Sequence, residues 1–208
     1  MFLMANQKTG VSVLGASRMI GISYKRASLI AQKIRRAMAF RDSLYKMGGV
    51  VEMDDSYFGG KGKPGKRGRG AAGKTPVLVC VSVEDGKPGY ASMKALSGVT
   101  VSEIKGAASE MLDCKATVVT DGFLTYTLSL DSYKHRIKVI GDPKTAARKL
   151  PWVHILIANA KAMIRGVHHG VSPAHLQEHL SEFCWRFSRR GHSDELFDRL
   201  LWACIGVI

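Results

Sequence analysis

Two acids and an amide stand where three distant segments can bring oxygen ligands together. Asp54 closes Val50-Val51-Glu52-Met53-Asp54, Asp121 closes Ala116-Thr117-Val118-Val119-Thr120-Asp121, and Asn159 lies within Leu156-Ile157-Ala158-Asn159-Ala160-Lys161. The first two end short apolar, β-branched runs that read as strands, and the third sits in a helical stretch. Two-metal phosphoryl transfer needs carboxylates flanking ions about 3.5–4 Å apart, one ion activating a water or 3′-hydroxyl and the other stabilising the leaving oxygen. Asp54, Asp121 and Asn159 are therefore the expected ligands of two magnesium ions, for which manganese can substitute. Asp55 should point to the opposite face of its strand, which leaves Asp54 as the ligand of that pair. Alternatives stay open at this level: Asp121-Gly122 also suits a simple turn cap, and a helical Asn also suits a packing or surface role.

The surroundings of these residues are cationic. Lys161 and Arg165 share the Asn159 segment and are placed to offset phosphate charge. His168 and His169 point in different directions and magnesium prefers oxygen, so they are left unassigned. The stretch from Gly59 to Gly70 is nearly all Gly, Pro, Lys and Arg, and its Lys61, Lys63, Lys66, Arg67 and Arg69 suit sequence-independent phosphate contact. Formal net charge is +14, from 31 basic against 17 acidic residues, with a pI near 9.8. A polyanionic partner fits that balance, and with the carboxylates it points to chemistry on phosphodiesters.

Charge is concentrated at the front, where residues 1–48 carry nine Lys or Arg and the single acid Asp42. Val11 to Met19 is apolar at helical spacing, Gly21-Ile22-Ser23 is a break with Ser23 as N-cap, and Tyr24 to Met38 is a basic amphipathic helix. That is the pattern of a helix-turn-helix, with Lys25, Arg26 and Ser28 near the start of the second helix where base contacts fall. After Met47-Gly48-Gly49 the period changes from helical to strand-like, so a domain boundary is expected near residue 48, dividing 1–48 from 49–208.

Strands are expected at Val50–Asp54, Pro76–Val83, Gly89–Ala95, Ala116–Thr120 and Arg136–Ile140. Helices are expected at about Val101–Leu112, shortly after Asp121-Gly122, at Pro151–Arg165, Pro173–Arg189 and Ser193–Ile205. Three strands, a helix, a strand and then helices around one more strand describe an α/β, RNase-H-like mixed sheet flanked by helices. Cys80, Cys114, Cys184 and Cys204 are far apart, form no Cys-x-x-Cys pair and read as buried reduced thiols. No apolar stretch approaches the roughly 18 residues that span a bilayer. No membrane partner and a cytoplasmic, nucleoid-associated location are expected.

Val51 to Gly60, Val119-Thr120-Asp121-Gly122-Phe123, Leu150-Pro151-Trp152-Val153-His154 through Asn159-Ala160-Lys161, His169-Gly170-Val171-Ser172 and Phe183 to Arg190 resemble, in order, the DDE-type bacterial insertion-sequence transposases related to Merlin elements. The resemblance implies an RNase-H-like domain whose two Asp and third residue, Glu or in one branch Asn, bind two magnesium ions. Carried onto this sequence, those positions are Asp54, Asp121 and Asn159, with Lys161 matching a lysine near the third. It also implies double-stranded DNA as partner, at element ends and target, and a homo-oligomer that joins two ends. Such proteins usually carry a zinc ribbon before the helix-turn-helix, so the front is expected to be truncated, and Asp55 stands where Glu is frequent. The alternative is a catalytically silent remnant that binds DNA as a regulator; a basic RNA-binding protein is disfavoured by the scarcity of aromatics beside the basic residues.

Overall fold

The computed structural model describes residues 1–59, 73–138 and 149–206. Five strands form one mixed sheet in the order β3-β2-β1-β4-β5: β1 Val50–Phe58, β2 Thr75–Glu84, β3 Lys87–Ala95, β4 Thr117–Thr120 and β5 Lys134–Ile137. The first three make an antiparallel meander, and β4 and β5 extend it in parallel from β1. β2 is buried from Pro76 to Val81, consistent with a nearly unbroken apolar run covered on both faces. It passes to β3 through Asp85-Gly86, both with positive φ, the pairing that a two-residue hairpin loop demands.

Helices cover both faces, and alternation along the strands divides the core between them. On one side Val51, Met53, Leu78, Cys80 and Val118 pack against α4 (Val101–Met111) and Tyr126 of α5 (Leu124–Ser129). On the other, Phe58, Val77, Val79, Val81 and Val119 pack against α6 (Pro151–His168) and α7 (Pro173–Ser188). The helix α7 also shields the open edge of β3, since Gln177 accepts from Ala95 N–H and donates to the Met93 carbonyl. Covering an edge in this way blocks pairing with other chains. The strand order and the two helical layers are those of an RNase-H-like fold, as the sequence pattern led one to expect.

The N-terminal helices are α1 (Phe2–Asn6), α2 (Val13–Ile20) and α3 (Tyr24–Ser43). Ser12 and Ser23 cap α2 and α3 by accepting from Gly15 and Arg26 N–H, and Gly21 ends α2 in the left-handed conformation. The helix-turn-helix pattern is therefore realised in its local geometry. Its packing is less separate than the change of period at residue 48 implied. Met4, Val11, Ile34 and Met38 share one cluster with Trp185 of α7 and with Leu196 and Leu200 of α8 (Leu196–Ile205). Arg35 of α3 donates to Glu182 of α7 at 2.7 Å, with both side chains at or below 5% exposure.

Several elements differ from their expected bounds. β1 runs four residues past Asp54 because β2 continues to pair with it as far as Phe58↔Thr75. β5 begins at Lys134, two residues early, in register with Thr117 of β4. Residues 139 and 140 of that expected strand lie outside the described residues. α6 continues to His168, and His169 with φ 51 closes it. Cys80 and Cys184 are buried as expected, whereas Cys204 is half-buried and Cys114 is exposed in the polar turn Asp113-Cys114-Lys115 between α4 and β4. Among the described residues no helix is long and apolar enough to cross a membrane.

Candidate active site

β1 and β4 run parallel with Val50 beside Thr117, Val51 beside Val118 and Glu52 beside Val119. Two steps further in the same register stand Asp54 and Asp121, both on the α6 face, just where the pairing of β4 with β1 ends. Asp54 is thus the middle of β1 rather than its end, and it meets Asp121 because β4 stops there. Asp54 Oδ1 accepts from Asp55 N–H at 2.8 Å, and Asp121 Oδ1 accepts from Phe123 N–H at 3.0 Å. The turn-cap reading of Asp121 is therefore realised for one oxygen. Gly122 has φ 86, and a Cβ there would lie 2.5 Å from Ile137 Cγ2, so the turn that presents Asp121 fits against β5 only with glycine.

Asp55 points to the opposite face, where the buried Tyr126 hydroxyl donates to its Oδ1 at 2.6 Å. Burial first, and then the charges of Asp55, Asp54 and Asp121, drive the Tyr126 phenol far above its ordinary range, so it stays a neutral donor.

The helix α6 crosses this edge at a fixed height. Its first turn has no side-chain N-cap of its own, and Pro151 occupies N1. The buried carboxylate of Glu52, two residues before Asp54 and on the same face of β1, fills that place: its Oε2 accepts from Trp152 N–H at 2.9 Å and Val153 N–H at 3.0 Å. A carboxylate there also answers the positive end of the helix dipole. The Trp152 indole donates to the Gly86 carbonyl at 3.0 Å and ties the helix start to the β2–β3 hairpin.

One turn on, His154 Nδ1 lies 3.8 Å from Asp54 Oδ2. Burial holds its pKa below the ordinary imidazole range, opposed by the charge of Asp121. Two turns further, Lys161 donates to Ser56 Oγ at 2.6 Å and sits 5.4 Å over the Phe58 ring. Its pKa is lowered first by burial and then by Lys74 and Arg165, with Asp54 pulling the other way. Lys161 is thus a cation held on β1, with the charges of Lys74 and Arg165 acting on it from the same side of the sheet as Asp54.

The structure brings His154 of α6 beside Asp54 and Lys161 beside Ser56 of the same strand, and the register of β1 and β4 puts Asp121 level with Asp54. At about 100° per residue, Asn159 is about 140° around α6 from His154 and about 160° from Lys161. It lies with Ile155, Ala162 and Gly166 on the exposed flank. Asn159, the expected third ligand, is thus on the same helix as His154 and Lys161 but on a different flank of it. Lys25 and Arg26 are exposed in the first turn of α3, and Arg165 is exposed on α6. Lys61, Lys63, Lys66, Arg67 and Arg69 lie outside the described residues, between the paired strand ends Phe58 and Thr75. Sequence reasoning missed Glu52, His154 and Lys74. The signal for the first was a lone acid inside an apolar strand run, two residues from Asp54.

A second cluster joins His168, His179 and Glu182, each with a ligand atom within 4.8 Å of the others. Glu182 is already held by Arg35 at 2.7 Å and faces Arg186 at 3.5 Å. Two guanidiniums offset its charge, so the cluster packs as an ion-paired centre with neutral imidazoles rather than as a cation site.

The family described as the ISXO2-like transposase domain matches residues 46–188. Among solved structures, the pre-cleavage Mos1 transpososome is 11% identical over 94% of this chain and 74% of that one, with a TM-score of 0.36. The Mos1 mariner paired end complex with Mn is 12% identical over 94% and 74%, with a TM-score of 0.34. No curated protein matches the chain.

Proposed function

The chain belongs to the ISXO2-like transposase domain family, and from that premise we propose that it cleaves and joins DNA strands at the corner shared by Asp54 and Asp121. The observation that supports this reading is the parallel register of β1 and β4, whose continuation by two residues on the same face leads to Asp54 and Asp121, with Lys161 held to Ser56 of β1. Carboxylates on adjacent strands, each with one oxygen fixed by a backbone N–H, suit hard divalent cations. Divalent ions held by Asp54 and Asp121, two in the full site, would supply activation of a water or 3′-hydroxyl and stabilisation of the leaving oxygen.

The protein's own residues orient and screen. Glu52 sets the height of α6, Tyr126 fixes Asp55 away from the corner, and Lys161, Lys74 and Arg165 offset charge on the DNA backbone. Lys25 and Arg26, exposed at the start of α3, are placed for the helix-turn-helix to read DNA. The reaction is the release of a 3′-hydroxyl at an element end followed by its in-line attack on target DNA. Joining two ends calls for more than one copy of the chain.

A second reading, DNA binding without strand cleavage, draws on the α6 flank that faces the corner: His154, Ala158, Lys161 and Arg165 include no carboxylate. The two separate on magnesium- and manganese-dependent nicking and strand transfer with the intact chain and Asp121→Ala. Product from the intact chain that disappears in Asp121→Ala, with DNA binding retained in both, supports the enzyme. Binding without product from either supports the regulator.

A further inference from the structure

We propose that the fold builds a second nucleic-acid site that shares no residue with the corner of Asp54 and Asp121: a pocket where Tyr45, Tyr90 and Trp202 stack bases of an unpaired DNA strand and Arg41, Arg189 and Arg199 meet its phosphates. The proposal rests on the reading of DNA as the partner and not on strand cleavage.

These six residues come from four places in the chain and line one pocket of about 230 Å³. Arg41 lies in the last turn of α3 with Tyr45 just past its end, Tyr90 lies in β3, Arg189 closes α7, and Arg199 and Trp202 stand one turn apart on α8. The three rings are 49%, 53% and 73% exposed, so none of them serves the core. A single exposed aromatic needs no explanation. Three of them around one opening, with three guanidiniums and no carboxylate in its lining, make a surface suited to a flat, anionic ligand.

Two features hold this surface in place. Val81 pairs with Ala91 and Val83 with Pro88, so Gly89 and Tyr90 together oppose Ser82 in a bulge. A bulge re-aims the side chain it carries. Ser82 Oγ accepts from Tyr90 N–H at 2.8 Å, and Arg190 donates to the Pro88 and Gly89 carbonyls. The cations are positioned as well: Arg189 is buried against the Trp185 ring and paired with Asp42 at 2.7 Å, Arg199 is paired with Glu195 at 2.7 Å, and Arg41 stands 5.3 Å over the Tyr45 ring.

The chemistry selects an unpaired strand. Every base offers a π-face to an aromatic ring, but in a duplex that face is already taken by its neighbours. Guanidiniums add phosphate contacts and flat faces of their own. Tyr45 and Tyr90 also line the adjoining cleft of about 680 Å³, which gives a strand seated on the rings a path along the surface. In the sequence the aromatics stand apart from the basic runs, and only the fold sets them beside arginines.

The test is binding of a labelled oligothymidine, and separately of a labelled duplex, to the full chain without divalent metal, read by anisotropy and by quenching of tryptophan emission. Trp185 is buried and Trp152 half-buried, so quenching reports on Trp202. Loss of one base–aromatic stack weakens binding by about 5- to 150-fold. Trp202→Ala and Tyr90→Ala should each weaken the single strand by about fivefold or more and leave duplex affinity where it was. Trp202→Phe should keep single-strand affinity and lose the quenching, which separates a lost stack from a disturbed fold. Single-strand binding without quenching and unmoved by both alanine variants would overturn the pocket and leave DNA as the partner. Binding of neither DNA would overturn the DNA reading and the pocket with it. Light scattering on the same samples reads the rival occupant: if Trp202→Ala dissociates an oligomer with single-strand affinity unchanged, the rings are a contact between copies and the proposal falls.

Discussion

Gly122 shows at a single residue how little freedom this corner has. Its φ of 86 is unfavourable for any side chain, and a methyl there meets Ile137 at 2.5 Å, so Gly122→Ala must push Asp121 and β5 apart. Thermal unfolding should shift downward and Mn²⁺ affinity should fall with it. Gly106→Ala in α4, where an added Cβ meets nothing within 4 Å, should instead raise stability by about 0.5–1 kcal/mol. Opposite signs from the same chemical change would tie the loss to the turn. Glu52 acts over a longer reach. Removing a helix cap costs about 0.5–2 kcal/mol, so Glu52→Ala should unfold at lower temperature, while Glu52→Gln, which keeps an acceptor oxygen, should recover most of the loss. The places of Asp54 and Asp121 on neighbouring strands were legible in the sequence because each is an acid beside a β-branched run. Glu52 stood out only as a lone acid in an apolar run, because its capping role arises from contacts across about a hundred residues that local spacing does not contain.

At the level of elements, local signals and packing diverge. The serine caps, the Asp85-Gly86 turn and the prolines opening α6 and α7 are short-range, and the corresponding helices and strands were legible within a few residues. The length of β1 depended on its partner β2, and the flank that α6 turns toward the sheet depended on Glu52, so neither could be read from periodicity alone. The expected boundary at residue 48 marks a change of period but not of core, since α3 joins α7 through the buried Arg35–Glu182 pair. Breaking a buried pair by removing one partner costs about 3–5 kcal/mol, much of it the stranded charge. At about 2–4 °C of Tm per kcal/mol for a chain of this size, Arg35→Met should lower Tm by roughly 10 °C, and the double variant Arg35→Met/Glu182→Leu should recover a large part. Near the same pair His179 is held neutral, its pKa lowered to about 3 by burial and then by Arg35, His168 and His175. The unfolded chain takes up that proton near pH 6.5, so this contribution to stability is whole above pH 6.5 and is lost as pH falls toward 3. Thermal melts from pH 7 to pH 4.5 should therefore fall more steeply for the intact chain than for His179→Gln.

Among the described residues, exposed basic side chains stand at the start of α3, as Lys25 and Arg26, and on α6, as Arg165, while Lys161 lies beside Ser56 of β1. On the proposed function, Asp54 and Asp121 would repel the same DNA backbone that the cations attract. That opposition separates binding from chemistry. If DNA is held by the cations, log affinity should fall linearly with log salt, by a slope of about −0.9 for each phosphate neutralised. Lys25→Ala, Arg26→Ala and Arg165→Ala should each lower that slope by about one unit or less. A substitution at Asp54 removes a negative charge from the same surface, so in the absence of divalent metal Asp54→Asn should bind DNA as tightly as the intact chain or more tightly. Added Mn²⁺ should narrow that difference, because the ions then neutralise Asp54 and Asp121 in the intact chain as the amide does in the variant. Fluorescence anisotropy of a labelled duplex across a salt series, with and without Mn²⁺, measures all of these quantities together. A slope unmoved by the three basic substitutions would place the DNA on a different face of the molecule, and Asp54→Asn binding more weakly than the intact chain without metal would mean that the carboxylates do not face the DNA at all.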